Sequence, residues 1–176
     1  GMALSLLDAY KDDIDYRMNG SQPSNATGYK FNFTELDDGI VFKDDNLTVE
    51  AFKVNHGEFE DAYGFRFTSK DKVIVFSGDT GPSKSLEDYA KDADILVHEV
   101  YSYAGFLKKT KDWQIYHKSH HTSTYEVGEI ASRAKPKLLV LSHILFWGAD
   151  EQDILEETRT TFSGNIKIAE DLMVIK

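Results

Sequence analysis

The sequence predicts an α/β (α+β) fold built on a mixed β-sheet. Short strand-like runs joined by turns extend from residue 29 to residue 79, a pattern typical of an antiparallel meander. After Asp79, apolar runs alternate with helical segments, which is typical of parallel strands joined by helices. The 176 residues contain neither repeats nor linkers, so we expect a single domain over residues 1–176.

The first part of the chain predicts one helix and five strands. Residues 3–16 carry apolar side chains at helical spacing, and residues 17–28 are rich in turn formers and predict a loop. Strands are predicted in "KFNFTEL" (30–36), on both sides of the turn "KDDN" in residues 39–56, and on both sides of "TSKDK" in residues 63–79.

The second part predicts helices alternating with strands. A helix over residues 83–91 begins at Ser83 or Ser85, and the strand "DILVHEV" follows. Residues 101–121 are rich in aromatic residues and lysine and predict a loop or a short helix over a site. The next helix starts at a capping box of Ser123 and Glu126 and ends before Pro136. The strand "KLLVLSH", a helix over 150–162 capped by Asp150, and one or two final strands in 165–176 complete the chain.

Composition restricts the possible functions. The net charge is −10, which disfavours nucleic acid as a partner because such a surface repels phosphates. The chain has no cysteine, so any metal would bind His, Asp or Glu, and the reducing cytoplasm is the expected location. No apolar run has the length of a membrane helix, so we expect no membrane contact.

Four side chains capable of binding a metal follow apolar runs that predict strands. These residues are His56, Asp79, His98 and His143. Ligands in α/β sheets gather beyond the carboxyl ends of strands, so we expect all four to converge at one rim of the sheet. A single histidine near a strand end is more often an ordinary hydrogen-bonded residue, and it is the set of four that favours a metal site. Asp79 could bridge two metal ions or simply cap the turn "SGDTG" through its own backbone.

Further candidates lie near the predicted site. His121 precedes a helix N-terminus, where a neutral imidazole could donate to a substrate oxyanion. Glu99 could orient a neighbouring imidazole, or it could be a charged strand end. His117, His120 and His121 form a cluster in the sequence, and we expect His120 to be a solvated loop residue.

Four sequence blocks carry a family resemblance. "VNHGEFEDAYGFRF", "FSGDTG", "DILVHEVY" and "HHTSTYEVGEIASRAKPKLLVLSH" resemble blocks of metallo-β-lactamase-fold hydrolases, in the ribonuclease Z and arylsulfatase-like branch. The resemblance implies zinc, held by His56, Asp79 and His143, with Asp79 bridging two ions. It implies catalytic roles near the site for His98, Glu99 and His121. It also implies hydrolysis of a phosphoester or a sulfate ester by metal-bound hydroxide.

The sequence departs from that family in one respect. The His-x-His-x-Asp-His block, which supplies further metal ligands, is absent, and no histidine precedes His56. The chain therefore resembles the C-terminal half of an αββα sandwich, with helices on one sheet face and residues 1–28 as helix and loop from the junction.

A half sandwich leaves one apolar sheet face without its twin. Burying such a face stabilises a protein by about 25 cal/mol per Å², so we expect a homodimer, a partner half-domain, or coverage by the N-terminal segment. Three functions stay open: a hydrolase of a small ester, a non-catalytic assembly module, and one chain of a split enzyme.

Overall fold

The computed structural model describes residues 1–22 and 24–175. The predicted loop 17–28 and the predicted final strand each include one residue outside this range, Pro23 and Lys176 respectively. The described chain divides into two compact units, one of residues Gly1–Leu36 and a larger one that begins at Asp37. Among the described residues, no helix combines the length and the hydropathy that crossing a membrane requires.

The first unit contains two short helices, α1 (Met2–Ala9) and α2 (Lys11–Asn19). The single helix predicted over residues 3–16 is therefore divided at Tyr10, whose φ of −97° and ψ of 10° depart from helical values. Residues 30–36 have no regular secondary structure, so the strand predicted there is wrong. A strand needs a neighbour to pair its backbone groups, and no described strand pairs with this segment.

The larger unit is built on one seven-stranded sheet whose strands are neighbours in chain order. The strands are β1 (Gly39–Lys43), β2 (Leu47–Lys53), β3 (Tyr63–Ser69), β4 (Val73–Phe76), β5 (Ile95–Tyr101), β6 (Leu138–Leu145) and β7 (Ile166–Ile168). The first four pair antiparallel and the last four pair parallel, so the mixed α/β sheet expected from the sequence is confirmed. Side chains close the tight turns: the Asp44 carboxylate accepts from the N–H groups of Asn46 and Leu47 at 2.8 Å each.

Five helices connect the parallel strands. They are α3 (Lys84–Tyr89), α4 (Tyr103–Leu107), α5 (Lys111–His120), α6 (Thr124–Ala134) and α7 (Glu151–Arg159). The predicted caps are confirmed: Ser83 caps α3, the box of Ser123 and Glu126 caps α6, and Asp150 caps α7.

Two of these helices replace the loop or short helix predicted for residues 101–121. The Ser102 hydroxyl caps α4 by accepting from the Gly105 N–H at 3.0 Å. The Gln114 amide of α5 donates to the carbonyls of Phe106, Leu107 and Lys109 at the end of α4. These contacts join the two helices into one compact hairpin, which local sequence patterns did not reveal.

The core lies between one sheet face and helices α3, α6 and α7. Val75, Leu96 and Leu139 are paired across β4, β5 and β6 on this face, and all three are buried. They pack with Leu86 of α3, Ile130 of α6 and Ile154 of α7 in one apolar cluster. On the opposite face, Phe65, Phe76, Val97 and Val140 are paired across four strands, and Phe76 is 42% exposed. We call this second face the open face.

Candidate metal centre

Three metal-capable side chains from separate segments meet at one end of the sheet. Asp79, His121 and His143 each offer a donor atom, and these atoms lie within 4.8 Å of one another. His143 Nε2 is 3.3 Å from Asp79 Oδ2. Asp79 and His143 are half-exposed, whereas His121 is buried. We call these three residues the donor cluster.

A tight turn after β4 places Asp79 in the cluster. Gly78 adopts a φ of +62°, and a Cβ there would lie 2.6 Å from the Tyr63 carbonyl oxygen, so only glycine fits. The Gly81 N–H donates to the Asn55 carbonyl at 2.7 Å, which ties this turn to the segment carrying His56. The turn is therefore held from both sides of Asp79.

A β-bulge places His143. Glu99 pairs with Ser142 and Val100 pairs with Ile144, so His143 is an extra residue in β6 without a partner in β5. Its φ is +43°, which is uncommon outside glycine. Bulges of this kind redirect a side chain next to functional sites. The predicted end of the strand at His143 is thus wrong, because β6 resumes pairing and continues to Leu145.

His121 enters the cluster from the link between α5 and α6, beside the buried Glu99. Its Nδ1 lies 3.4 Å from Glu99 Oε1 and has no hydrogen-bond partner in the described chain. The Glu99 carboxylate accepts from the N–H groups of Thr122 at 2.9 Å and Thr80 at 3.3 Å. Glu99 therefore connects the elements that carry His121 and Asp79.

Burial and charge act in opposite directions on this pair. Burial raises the pKa of the Glu99 carboxyl, although His121 and the two N–H groups oppose it. Burial also lowers the pKa of His121, but Glu99 and then Asp79 raise it more, so the pKa lies above its ordinary value. The protonated form of His121 is therefore favoured more than in an ordinary histidine.

His56 lies beside the donor cluster but outside its three members. Its Nδ1 is 2.8 Å from the His120 carbonyl oxygen, and its ring centroid is 5.4 Å from that of His121. Because a carbonyl only accepts, Nδ1 donates the proton of this hydrogen bond, which leaves Nε2 as the ring nitrogen that could bind a metal.

His98 does not lie at the rim where the sequence placed it. It is fully buried in the middle of β5, and its Nδ1 donates to the Glu99 carbonyl at 2.6 Å. The reason is strand alternation: Leu96, His98 and Val100 all point to the helix-covered face, and β5 continues to Tyr101. Burial lowers the pKa of His98 to about 4, so the ring is neutral.

The expectation that His120 is a solvated loop residue is wrong. His120 is 3% exposed at the end of α5, and its ring stacks on Tyr116 at 4.1 Å. Gly57, with a φ of +58°, passes directly over the ring, since a Cβ there would be 2.0 Å from His120 Nε2. Only a residue without a side chain allows this close approach.

Known protein families match the chain over most of its length. A family model described as a beta-lactamase superfamily domain matches residues 5–144. Ribonuclease Z of Archaeoglobus fulgidus is 36% identical over 108 residues, which cover 61% of this chain and 33% of that protein. Ribonuclease Z of Bacillus velezensis is 26% identical over 199 residues, which cover 84% of this chain and 62% of that protein. The chain thus spans less than two thirds of these relatives.

Solved structures show the same fold. A metallo-beta-lactamase fold protein from Bacillus subtilis superposes with a TM-score of 0.60 at 23% identity, covering 73% of this chain and 49% of the other. The short form of human tRNase Z superposes with a TM-score of 0.55 at 22% identity, covering 78% of this chain and 46% of the other.

The names of these relatives are at odds with one expectation. The net charge of −10 led us to disfavour nucleic acid, yet several matched relatives are ribonucleases. Whole-chain charge does not describe the local field: residues 102–121 contain four lysines and one carboxylate. The family match over residues 5–144 and the shared architecture lead to one conclusion: the chain belongs to the beta-lactamase superfamily and has the metallo-beta-lactamase fold of ribonuclease Z-like proteins.

Proposed function

We propose that this chain provides the metal-binding half of a phosphodiester hydrolase that acts on RNA. The observation that carries the proposal is the donor cluster, in which Asp79, His121 and His143 come from separate segments and meet within 4.8 Å. The matched relatives named ribonuclease Z favour a phosphodiester over a sulfate ester or another small ester as the substrate.

The donor types suit zinc. Imidazole nitrogens and a carboxylate oxygen are common zinc ligands in sites without cysteine. Asp79 and His143 would hold the metal, with His56, which lies beside the donor cluster, as the third ligand. A bound divalent ion would polarise a phosphoryl oxygen and lower the pKa of a water.

The protein's own groups would move the proton. His121, whose pKa is raised by Glu99 and Asp79, can donate a proton to the leaving oxygen. Glu99 would orient the His121 ring and stabilise its charge. His98 would act only indirectly, because its Nδ1–H holds the Glu99 carbonyl at 2.6 Å and its ring is fully buried.

We also propose that a second copy of this chain or a partner half-domain covers the open face and adds metal ligands. Phe76 is 42% exposed there, and a cavity of about 400 Å³ on this face is lined by Phe65, Phe67, Asp79 and His143 among others. The apolar wall and the metal donors thus share one opening. If the chain is instead a non-catalytic assembly module, the same face would bind the partner, but no ester would be hydrolysed.

Metal titration and hydrolysis test the proposal. Zinc is titrated into the full chain by calorimetry, and hydrolysis of bis(p-nitrophenyl) phosphate is measured with the metal present. We expect Asp79→Ala and His143→Ala to weaken zinc binding by about tenfold or more, since each removes a direct ligand. Asp45→Ala, in the exposed β1–β2 turn, is the matched control.

His121→Ala separates the two roles open to that residue. A proton donor predicts nearly unchanged zinc affinity with kcat lower by roughly a hundredfold, whereas a ligand predicts a loss of zinc affinity. If the unaltered chain binds no zinc, or if Asp79→Ala binds it equally well, the hydrolase proposal is wrong. Zinc binding without any hydrolysis would favour the assembly module.

A further inference from the structure

A ladder of aromatic side chains runs along one side of α5. It consists of Trp113, Tyr116, His117 and His120. The ring of Trp113 lies 5.6 Å from Tyr116 and 5.4 Å from His117, and Tyr116 stacks on His120 at 4.1 Å. We call these four residues the α5 ladder.

The α5 ladder connects the surface to the donor cluster. The end formed by Trp113 and Tyr116 faces solvent, since Trp113 is 55% and Tyr116 is 42% exposed. At the other end, the ring centroid of His117 lies 5.8 Å from that of His121, which in turn lies 6.0 Å from that of His143. His120 likewise meets His56 at 5.0 Å. A row of planar groups therefore leads from solvent to the residues proposed to bind the metal.

A lysine and a glutamate lie near different parts of the α5 ladder. Lys109 Nζ lies 4.6 Å over the ring of Trp147, which is 4.4 Å from His117. The Glu58 side chain is 93% exposed, and its Oε2 lies 3.5 Å from Nε2 of His120, at the end of the ladder next to His56. A polyanion would therefore run on the side of Lys109 and away from Glu58.

We propose that the α5 ladder binds a single-stranded RNA segment that leads to the donor cluster. Unpaired bases stack on aromatic side chains, and phosphates pair with neighbouring lysines, which is the combination present here. The inference deepens the proposed function, because it names the surface that holds the substrate of the same site. Continuity with the donor cluster and the position of Lys109 favour RNA over a lipid surface.

Binding is measured without catalysis, so that it is independent of hydrolysis. The probe is a fluorescein-labelled, unstructured RNA of about 10 nucleotides, a length within the range that single-strand sites cover. Anisotropy is recorded with the full chain in EDTA at several salt concentrations. We expect Trp113→Ala to weaken binding about tenfold and Trp113→Phe to restore most of it, because a ring is retained.

Charge variants give effects of opposite sign. Lys109→Gln should weaken binding and reduce the slope of log affinity against log salt by about 0.7, the value for one phosphate contact on a single strand. Glu58→Gln should instead tighten binding, since it removes a repulsive charge. Circular dichroism confirms that each variant is folded.

The opposite side of the same helix provides the control. Ile115, 72% exposed, and Lys111 lie roughly 200° around the helix from Trp113. Ile115→Ala should leave RNA binding unchanged, and Lys111→Gln should weaken it less than Lys109→Gln does. Equal losses on both sides of α5 would overturn the inference, as would double-stranded RNA or phosphatidylserine vesicles binding more tightly than the single strand.

The two proposals fail separately. RNA binding in EDTA without hydrolysis of bis(p-nitrophenyl) phosphate would support the ladder and contradict the hydrolase. Hydrolysis that persists when Trp113→Ala leaves RNA affinity unchanged would support the hydrolase and overturn the ladder.

Discussion

His98 and His121 lie in the same part of the molecule, but their surroundings shift their pKa values in opposite directions. His98 is fully buried and its pKa falls to about 4, whereas Glu99 and Asp79 outweigh burial at His121 and raise its pKa. The first is therefore a neutral core residue at pH 7, and the second is a group that can exchange a proton.

At the residue scale we predict that His98 makes the fold acid-sensitive. The unfolded chain binds a proton at His98 near pH 6.5, but the folded chain binds it only near pH 4, so stability falls as pH decreases through this window. The free energy of unfolding should drop by about 3 kcal/mol from this residue. Urea unfolding at pH 7 and pH 4 measures the drop for the natural chain and for His98→Gln.

The carboxyl groups that titrate in this window are the same in both chains. The difference between the two pH profiles therefore isolates the imidazole. Identical pH dependence in both chains would show that His98 is not held neutral.

At the scale of elements, the N-terminus of α6 positions the donor cluster. Ser123 and Glu126 form the capping box, and the preceding Thr122 donates its hydroxyl to the Thr80 carbonyl at 2.6 Å. Thr122 also donates its N–H to Glu99 at 2.9 Å. One helix start thereby fixes the link carrying His121 against the turn carrying Asp79.

We predict that the two helix caps differ in their effect on the metal. Ser123→Ala and Asp150→Ala should each lower stability by about 1 kcal/mol, because each exposes an unpaired N–H at a helix start. Only Ser123→Ala should also weaken zinc binding, since Ser123 is two residues from His121 and Asp150 caps a helix outside the cluster. Urea unfolding and calorimetry measure both effects. Equal zinc affinity in the two variants would contradict this role of α6.

At the scale of the whole molecule, the open face is the main unexplained surface. Phe65, Phe76 and Val97 form a partly exposed apolar row across three strands of the larger unit, and the row ends at Val140, which is buried. Exposed apolar surface of this kind marks association sites, and its burial contributes about 25 cal/mol per Å².

We predict that the chain associates with itself through this face. Phe76→Asp should weaken association by tenfold or more, because it would bury a charge in the interface. Leu107→Asp, at an exposed position of α4, should not change it. Sedimentation equilibrium measures both. A natural chain that remains monomeric at all concentrations would exclude the second copy and leave the partner half-domain.

Local patterns predicted much of the fold and part of the site. Turn residues and caps such as Ser83, Ser123 and Asp150 act within a few positions along the chain, so the order of strands and helices after residue 38 follows from them. The strand predicted over residues 30–36 failed because alternation does not supply a pairing partner.

The sequence by itself determined which chemical groups are present and that the strands after Asp79 run parallel, which brings Asp79 and His143 to one edge. Only the tertiary structure decided which histidines meet there. His98 points into the core because strand alternation places it on the helix-covered face. His143 reaches the cluster because it is itself the extra residue of the bulge in β6, without a partner in β5. The physical reason is that side-chain direction depends on pairing register across strands, which distant residues set jointly.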